Sequence, residues 1–421
     1  MKKLLILDWS NNWRFYITNA LEQLDCKVYL VMEENRPTPE FVVDELIIKD
    51  LYLEPLKHKR EIISFIEEKG IDYIFTTEDE LVELAATIAK EKRFITCPPE
   101  IVSLCMNKWE VRKKLEDNKM PMPFYKKVSS FNDFKEIIEQ NTYPLVLKPI
   151  DGNFSNGAVK IDDNTSIKEA WDFAYKGTWD SPSGSRELII EEYVSDDNKL
   201  ISCEAIISND RIDIIGLTEE RQLKMGGKHI QKFIYDLLVV PAQIDESVQL
   251  KICDETKKII NILGLENCVV HVEFKIKDGE PKFIELNPRM AGGFVPELYR
   301  LAFGIDLAKI ALMIACGEKI YEQELKKKHS KVSCVKFILP NTNGVIKNIT
   351  YDKNIILKNN IDKFNLVLNK GDKFVFGELF GVGYVITTGS NADISIHQAL
   401  NVSNNIKVVM ENDSLVSNSP Y

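Results

Sequence analysis

The 421-residue sequence has no basic excess: 54 Lys and Arg against 64 Asp and Glu leave a net charge of -10, with a pI near 5.3. That excludes a general nucleic-acid binder, which needs a basic face to neutralise phosphates, although a local basic site for a small anion remains open. There is no C-x-x-C pair. The eight cysteines (26, 97, 105, 203, 253, 268, 316 and 334) are scattered, which fits buried small residues in a reducing compartment rather than a disulfide frame or a zinc site. No apolar run approaches a membrane span, and the first one stops at Asp8, short of a signal h-region. A cytoplasmic location without membrane contact is therefore expected. The stretch "LDWSNNWRF" after the first apolar run contains no glycine, which excludes the G-x-G-x-x-G turn of a dinucleotide fold. There is no internal repeat and no low-complexity tract.

What is present is ordinary for a folded chain: 44% hydrophobic and 28% charged residues, at a length that calls for two to four domains. Apolar runs at 4–7, 27–32, 45–50 and 71–77 alternate with helical patterns at 12–24 and 57–69, as in a parallel α/β domain. After "TCPPE" (96–100) come a lysine-rich helix at 107–119, a helix at 131–140, strands at 144–150 and 158–161, a helix at 166–175 and a strand at 187–194. Strands near 200–207 and 211–217, a helix at 246–263, a hairpin over 268–286 and a helix at 304–315 follow. From about 330 the sequence turns to short β-like runs with Asn and Gly turns.

Three stretches carry chemistry. "YPLVLKPIDGNFSNGAVKI" (143–161) holds Gly152-x4-Gly157, but Ala158-Val159 replaces Lys-Ser/Thr and a strand follows, so it is not a P-loop. A flexible small-residue tip and Lys148 remain, able to cradle a phosphate, and equally able to form a plain surface turn. "LIIEEYV" (188–194) reads as a solvated edge or as a hinge whose backbone meets a flat ring. "HVEFKIKDGEPKFIELNPRMAGG" (271–293) places Glu273, Glu285 and Asn287 on a hairpin. Facing carboxylates repel unless a cation sits between them, and with the Asn287 oxygen they make an all-oxygen set suited to Mg²⁺. A three-residue loop, Asp278 to Glu280, puts the two glutamates on one face, whereas a two-residue loop puts them on opposite faces. The metal reading therefore expects a turn of odd length. Arg289 adds a guanidinium for phosphate or carboxylate.

In this order, with "NKWEVRKKLEDNKMPMPFY" (107–125), these stretches resemble the ATP-grasp superfamily over roughly residues 1–320. The β-rich end and "GKHIQKFIYDLLVVPAQI" (227–244) resemble its L-amino-acid ligases of the bacilysin-synthetase type. The resemblance implies a parallel α/β domain (1–100), a two-lobed α+β core with a nucleotide lobe (101–195) and a catalytic lobe (196–325), and a small β-rich domain (326–421). It implies ATP contacts at Lys108 and Lys148, a phosphate lid at Ser155, Asn156 and Gly157, and an adenine hinge at Glu191, Glu192, Tyr193 and Val194. It places Mg²⁺, or Mn²⁺ as an alternative, at Glu273, Glu285 and Asn287, and assigns Arg289 to the acyl phosphate. Gly292 and Gly293 leave room for substrate, and Glu204, His229 and His271 are candidates for substrate binding or as bases. Leu200 stands where many members have a ribose-binding acid.

The activity implied is activation of an amino-acid carboxylate as an acyl phosphate and its transfer to an amine, in dipeptide or antibiotic biosynthesis. Loading onto an acyl-carrier protein, at a thiol or carrier-bound amine, is one alternative, and a non-catalytic nucleotide-binding module is another. The expected partners are an amino acid, such a carrier, and a second copy in a homodimer.

Overall fold

β1 (Lys2–Leu7) is apolar and buried along most of its length because a parallel sheet is covered on both faces. Leu4 and Ile6 enter one core, and Leu5 and Leu7 the other. In this computed structural model the chain is described over residues 1–9, 15–34, 38–152, 155–163, 165–180, 184–194, 199–226, 231–359, 361–375 and 381–411. β1 runs parallel to β2 (Cys26–Glu33) and β4 (Tyr73–Thr76), and β2 to β3 (Val42–Ile48), in the order β3-β2-β1-β4. Helices α1 (Phe15–Glu22), α2 (Lys59–Lys69) and α3 (Asp79–Lys92) flank them. The alternation expected at the N-terminus is thus present, and α3 adds a helix that was not anticipated.

α4 (Pro99–Cys105) and α5 (Lys108–Asp117) lead into a second sheet. Asn107 caps α5 by accepting from the Glu110 N–H at 3.1 Å. β5 (Tyr125–Val128), β6 (Leu145–Pro149), β7 (Val159–Ile161) and β8 (Leu188–Glu192) form an antiparallel sheet in the order β5-β8-β6-β7. α6 (Phe131–Gln140) and α7 (Ile167–Gly177) bury their apolar stripes against it.

The third and largest sheet starts with β9 (Lys199–Ser208), β10 (Arg211–Gly226), β11 (Gln231–Val240), β12 (Cys268–Lys277) and β13 (Glu280–Asn287), with α8 (Glu246–Leu263) on its back. Two helices follow: α9 (Val295–Phe303), which the sequence reading did not include, and α10 (Leu307–Ala315), which matches the helix expected at 304–315. Gly304, at φ 71°, ends the first in the left-handed conformation that favours glycine. The C-terminal strands are β14 (Val332–Ile338), β15 (Gly344–Thr350), β16 (Ile361–Leu366), β17 (Lys373–Phe374), β18 (Gly383–Gly389) and β19 (Lys407–Met410). β14, β18 and β16 continue the large sheet, which reads β13-β12-β9-β10-β11-β14-β18-β16, while β15, β17 and β19 form a small sheet of their own. The β-rich end therefore builds onto the sheet that carries the site. Phe337 and Tyr384 pack on Phe294 beside α9, the Tyr384 ring at 4.2 Å.

Candidate functional site

Glu273 and Glu285 are directly paired across β12 and β13, and His271 pairs with Asn287. Directly opposed residues share a face, so the carboxylates do converge. The route differs from the expected one. Lys277 pairs with Glu280, so the turn is the two-residue Asp278-Gly279, with φ 54° and 73°. Positive φ at both positions is the type I′ geometry that Asp-Gly favours. A regular ladder from that turn would set Glu273 opposite Ile284 and bury Glu285 on the other face. A β-bulge intervenes: Phe274 pairs with Phe283 and Glu273 with Glu285, which leaves Ile284 as the extra residue. The turn is even, and the bulge restores the face.

The same face continues across the sheet. His271 lies opposite Glu204 on β9, and Leu200 opposite Glu220 on β10. His271 Nδ1 is 2.9 and 3.1 Å from the two Glu204 oxygens, and its Nε2 is 3.3 Å from Glu273 and 3.8 Å from Glu220. Burial opposes charge on this imidazole, but Glu204, Glu273 and Glu220 outweigh it and raise its pKa well above the usual value. The ring is held between acids, with Glu204 on Nδ1 and Glu273 on Nε2. Burial, reinforced by Glu273, pushes the Glu220 carboxyl up to about 8. Its buried Oε1 has no hydrogen-bond partner. Among the described residues, Glu220, His271 and Glu273 bring ligand atoms within 4.8 Å of one another.

The opposing lobe supplies cations. Lys108, at the start of α5, reaches Glu285 at 3.1 Å and donates to the Gly152 carbonyl at 2.5 Å. Lys148 on β6 meets Glu191 at 2.6 Å. Arg112, one turn after Lys108, donates from Nε to the other Glu191 oxygen at 2.8 Å and from Nη2 to the Ile284 carbonyl at 2.7 Å. Burial resists ionising Glu191, but Arg112 and Lys148 hold its carboxyl at about 2. The Glu191 side chain is thus committed to ion pairs, and Tyr193 and Val194 line the cavity beside it. Lys160 Nζ lies 4.5 Å from the Tyr193 ring centroid, and Phe233 stacks on the same ring at 6.2 Å. Glu192 pairs with Lys277 at 2.5 Å.

At the far end Arg289 binds Asp79 of α3 through Nε and Nη2, both at 2.5 Å, and donates from Nη1 to the Met290 carbonyl at 3.0 Å. Asp79 takes the side-on edge and so aims a guanidinium that lines the cavity. Gly157 has φ 75°, and an added Cβ would meet Gly177 and Pro149 at 3.0 Å. An added Cβ on Gly292 would meet nothing within 4 Å, so this glycine borders open space.

One cavity of about 190 Å³ gathers these groups. Lys108, Lys148, Ser155, Asn156, the 191–194 hinge, His271, Glu273, Glu285, Asn287, Arg289, Gly292 and Gly293 all line it. Glu204 acts from behind His271, and His229 lies outside the described residues. The sequence reading missed Asp79, Arg112 and Glu220. Asp79 lies more than 200 residues from Arg289, and Arg112 follows Lys108 by four, a spacing that could have flagged it. Two carboxylates and an amide oxygen fit a hard divalent cation, and the nearby Lys108 and His271 together with the orphaned Glu220 oxygen mark a place arranged around charge.

An ATP-grasp domain model matches residues 141–297. An uncharacterized protein of Sinorhizobium fredii is 26% identical over 325 residues, covering 75% of this chain and 64% of that protein. The alanine–anticapsin ligase of Bacillus subtilis is 27% identical over 211 residues, covering 46% of this chain and 43% of the ligase. The chain thus spans less than two thirds of either relative's length. Among solved structures, the L-amino acid ligase of Bacillus licheniformis superposes with a TM-score of 0.82 at 19% identity, over 98% of this chain and 99% of that one. The N5-carboxyaminoimidazole ribonucleotide synthetase of Thermotoga maritima gives 0.71 at 15% identity, over 98% and 100%. The chain carries an ATP-grasp domain and has the fold of these enzymes.

Proposed function

We propose that this ATP-grasp chain is an ADP-forming ligase that activates an amino-acid carboxylate as an acyl phosphate and transfers the acyl group to an acceptor amine. The observation that carries the reading is the convergence of Lys108, Lys148, the Glu273–Glu285 pair and Arg289 on one cavity. A carboxylate and an ammonium do not condense at neutral pH, because oxide is a poor leaving group. In the proposed reaction the carboxylate oxygen attacks the γ-phosphorus and ADP departs. The amine, once deprotonated, then attacks the acyl carbon and phosphate departs.

The residues divide the work. Lys108 and Lys148 meet the phosphates, and Ser155 to Gly157 close over them. The hinge backbone and the Tyr193 ring take the adenine. Glu273, Glu285 and Asn287 would hold Mg²⁺ or Mn²⁺, which supplies charge neutralisation for the phosphates when bound. Arg289, aimed by Asp79, stabilises charge on the acyl oxygen and on the departing phosphate. His271, held between Glu204 and Glu273, keeps those acids in place and is a candidate base for the acceptor amine.

A substrate screen tests this. The protein is incubated with ATP, Mg²⁺ and amino acids singly and in pairs, and ADP and phosphate are measured. Turnover that requires two amino acids supports dipeptide-type ligation. Turnover with one amino acid only after a carrier protein is added moves the acceptor to the carrier. No ADP under any pairing removes the ligase reading and leaves a nucleotide-binding module.

A further inference from the structure

Arg112 does not line the cavity, yet it is only 2% exposed and touches two parts of the site at once. Its Nη2 donates to the Ile284 carbonyl, the bulge residue that returns Glu285 to the face of Glu273. Its Nε donates to Glu191, which in turn holds Lys148. Its guanidinium carbon lies 4.8 Å from the centre of the Phe283 ring, the residue before the bulge. A bulge takes one peptide out of the ladder, and a buried peptide group needs a partner. Arg112 supplies that partner from another element. α5 thereby grips consecutive residues of β13, with Lys108 on the Glu285 side chain and Arg112 on the Ile284 backbone, four positions apart on one helix face.

We propose that Arg112 is a positioning residue that stabilises the Ile284 bulge, and so holds Glu273 and Glu285 as a divalent-cation pair in fixed relation to Lys148. This rests on the proposed role of those two glutamates. Arg is required because its fork donates in two directions at once, to a carboxylate and to a backbone carbonyl, whereas lysine is a single-point donor.

The test measures cation binding rather than turnover. Mn²⁺ affinity is read by electron paramagnetic resonance with a non-hydrolysable ATP analogue, and affinity for the analogue is read separately without metal. Arg112→Lys should weaken Mn²⁺ by about tenfold or more, as expected when a group behind a metal ligand is lost, and should weaken metal-free nucleotide binding, felt through Glu191 and Lys148, by clearly less. Deleting Ile284 leaves Glu285 opposite Glu273 in a regular ladder but removes the carbonyl that Arg112 holds. In that background Arg112→Lys should cost no further Mn²⁺ affinity. Amide exchange gives a readout that does not depend on the deletion folding: protection over 282–287 should fall in Arg112→Lys while that over 268–272 holds. Unchanged Mn²⁺ affinity, an equal loss of metal-free nucleotide binding, or unchanged exchange at the bulge overturns the proposal, and so does a wild-type protein that binds no Mn²⁺. Failure of the ligase reading appears separately, as absence of ADP formation in a protein whose Mn²⁺ response to Arg112→Lys is as described.

Discussion

Glu273 and Glu285 face each other across a hairpin whose two-residue turn would, in a regular ladder, point them to opposite sides. The extra residue Ile284 makes the difference, so the acidic pair depends on a bulge. Glu285→Gln removes one charge and keeps the shape. It is expected to lower kcat by at least about 100-fold and to weaken Mn²⁺ binding, with the fold intact by circular dichroism. Wild-type turnover in this variant would remove the pair from the mechanism.

Asp79 reaches from the N-terminal sheet domain to fix the guanidinium of Arg289 side-on. Asp79→Asn cannot accept both donors as a carboxylate does, and it leaves a buried cation uncompensated. A drop of about 100-fold in kcat is expected from misplacing the arginine, with KM for ATP unchanged. Steady-state kinetics well below the melting temperature separates the two parameters. A rise in KM for ATP with kcat preserved would place Arg289 on the nucleotide instead.

The α7 residue Gly177 lies so close to Gly157 that an added Cβ would stand 2.6 Å from the Gly157 Cα. Backbone, not a flexible side chain, would have to move. Gly177→Ala should push the base of the small-residue loop outward, destabilise the fold by about 1–3 kcal/mol and raise KM for ATP. Kinetics and urea unfolding on one preparation check both effects.

Glu191 links stability to pH. Its native pKa, about 2, lies below its ordinary 4.5, so its contribution is present above about pH 4.5 and is lost as pH falls through about 2. The shift corresponds to roughly 3 kcal/mol. The stability gap between wild type and Glu191→Gln should be widest at neutral pH and narrow from pH 4.5 towards 2. Unfolding titrations across that range test this, and a constant gap would mean that the Arg112–Glu191–Lys148 cluster contributes no proton linkage.

Most of the site was legible in the sequence because strand alternation fixes side-chain direction: Glu285 and Asn287 share a face wherever the strand ends. Lys148 and Arg289 lie beside glycine- and proline-marked loops that betray them, whereas Lys108, at a helix start, was assigned only through the family resemblance. The bulge was not legible. Asp278-Gly279 signals a tight turn, but nothing in "FIEL" says that Ile284 is the unpaired residue, and Arg112, which donates to its carbonyl, lies 172 positions away. The pairing of Asp79 with Arg289 was hidden for the same reason. α9 was hidden because its start at Val295-Pro296 directly follows Gly292-Gly293 and reads as loop. The extension of the large sheet by β14, β18 and β16 depends on edge pairing that local pattern cannot specify.

The central claim is acyl-phosphate formation, and isotope transfer tests it most directly. The amino acid that supports turnover is labelled with ¹⁸O in its carboxylate, and the products are analysed by mass spectrometry. One ¹⁸O per turnover should appear in inorganic phosphate, with ADP unlabelled. Phosphate that carries no carboxylate oxygen, or label found in AMP, would contradict it.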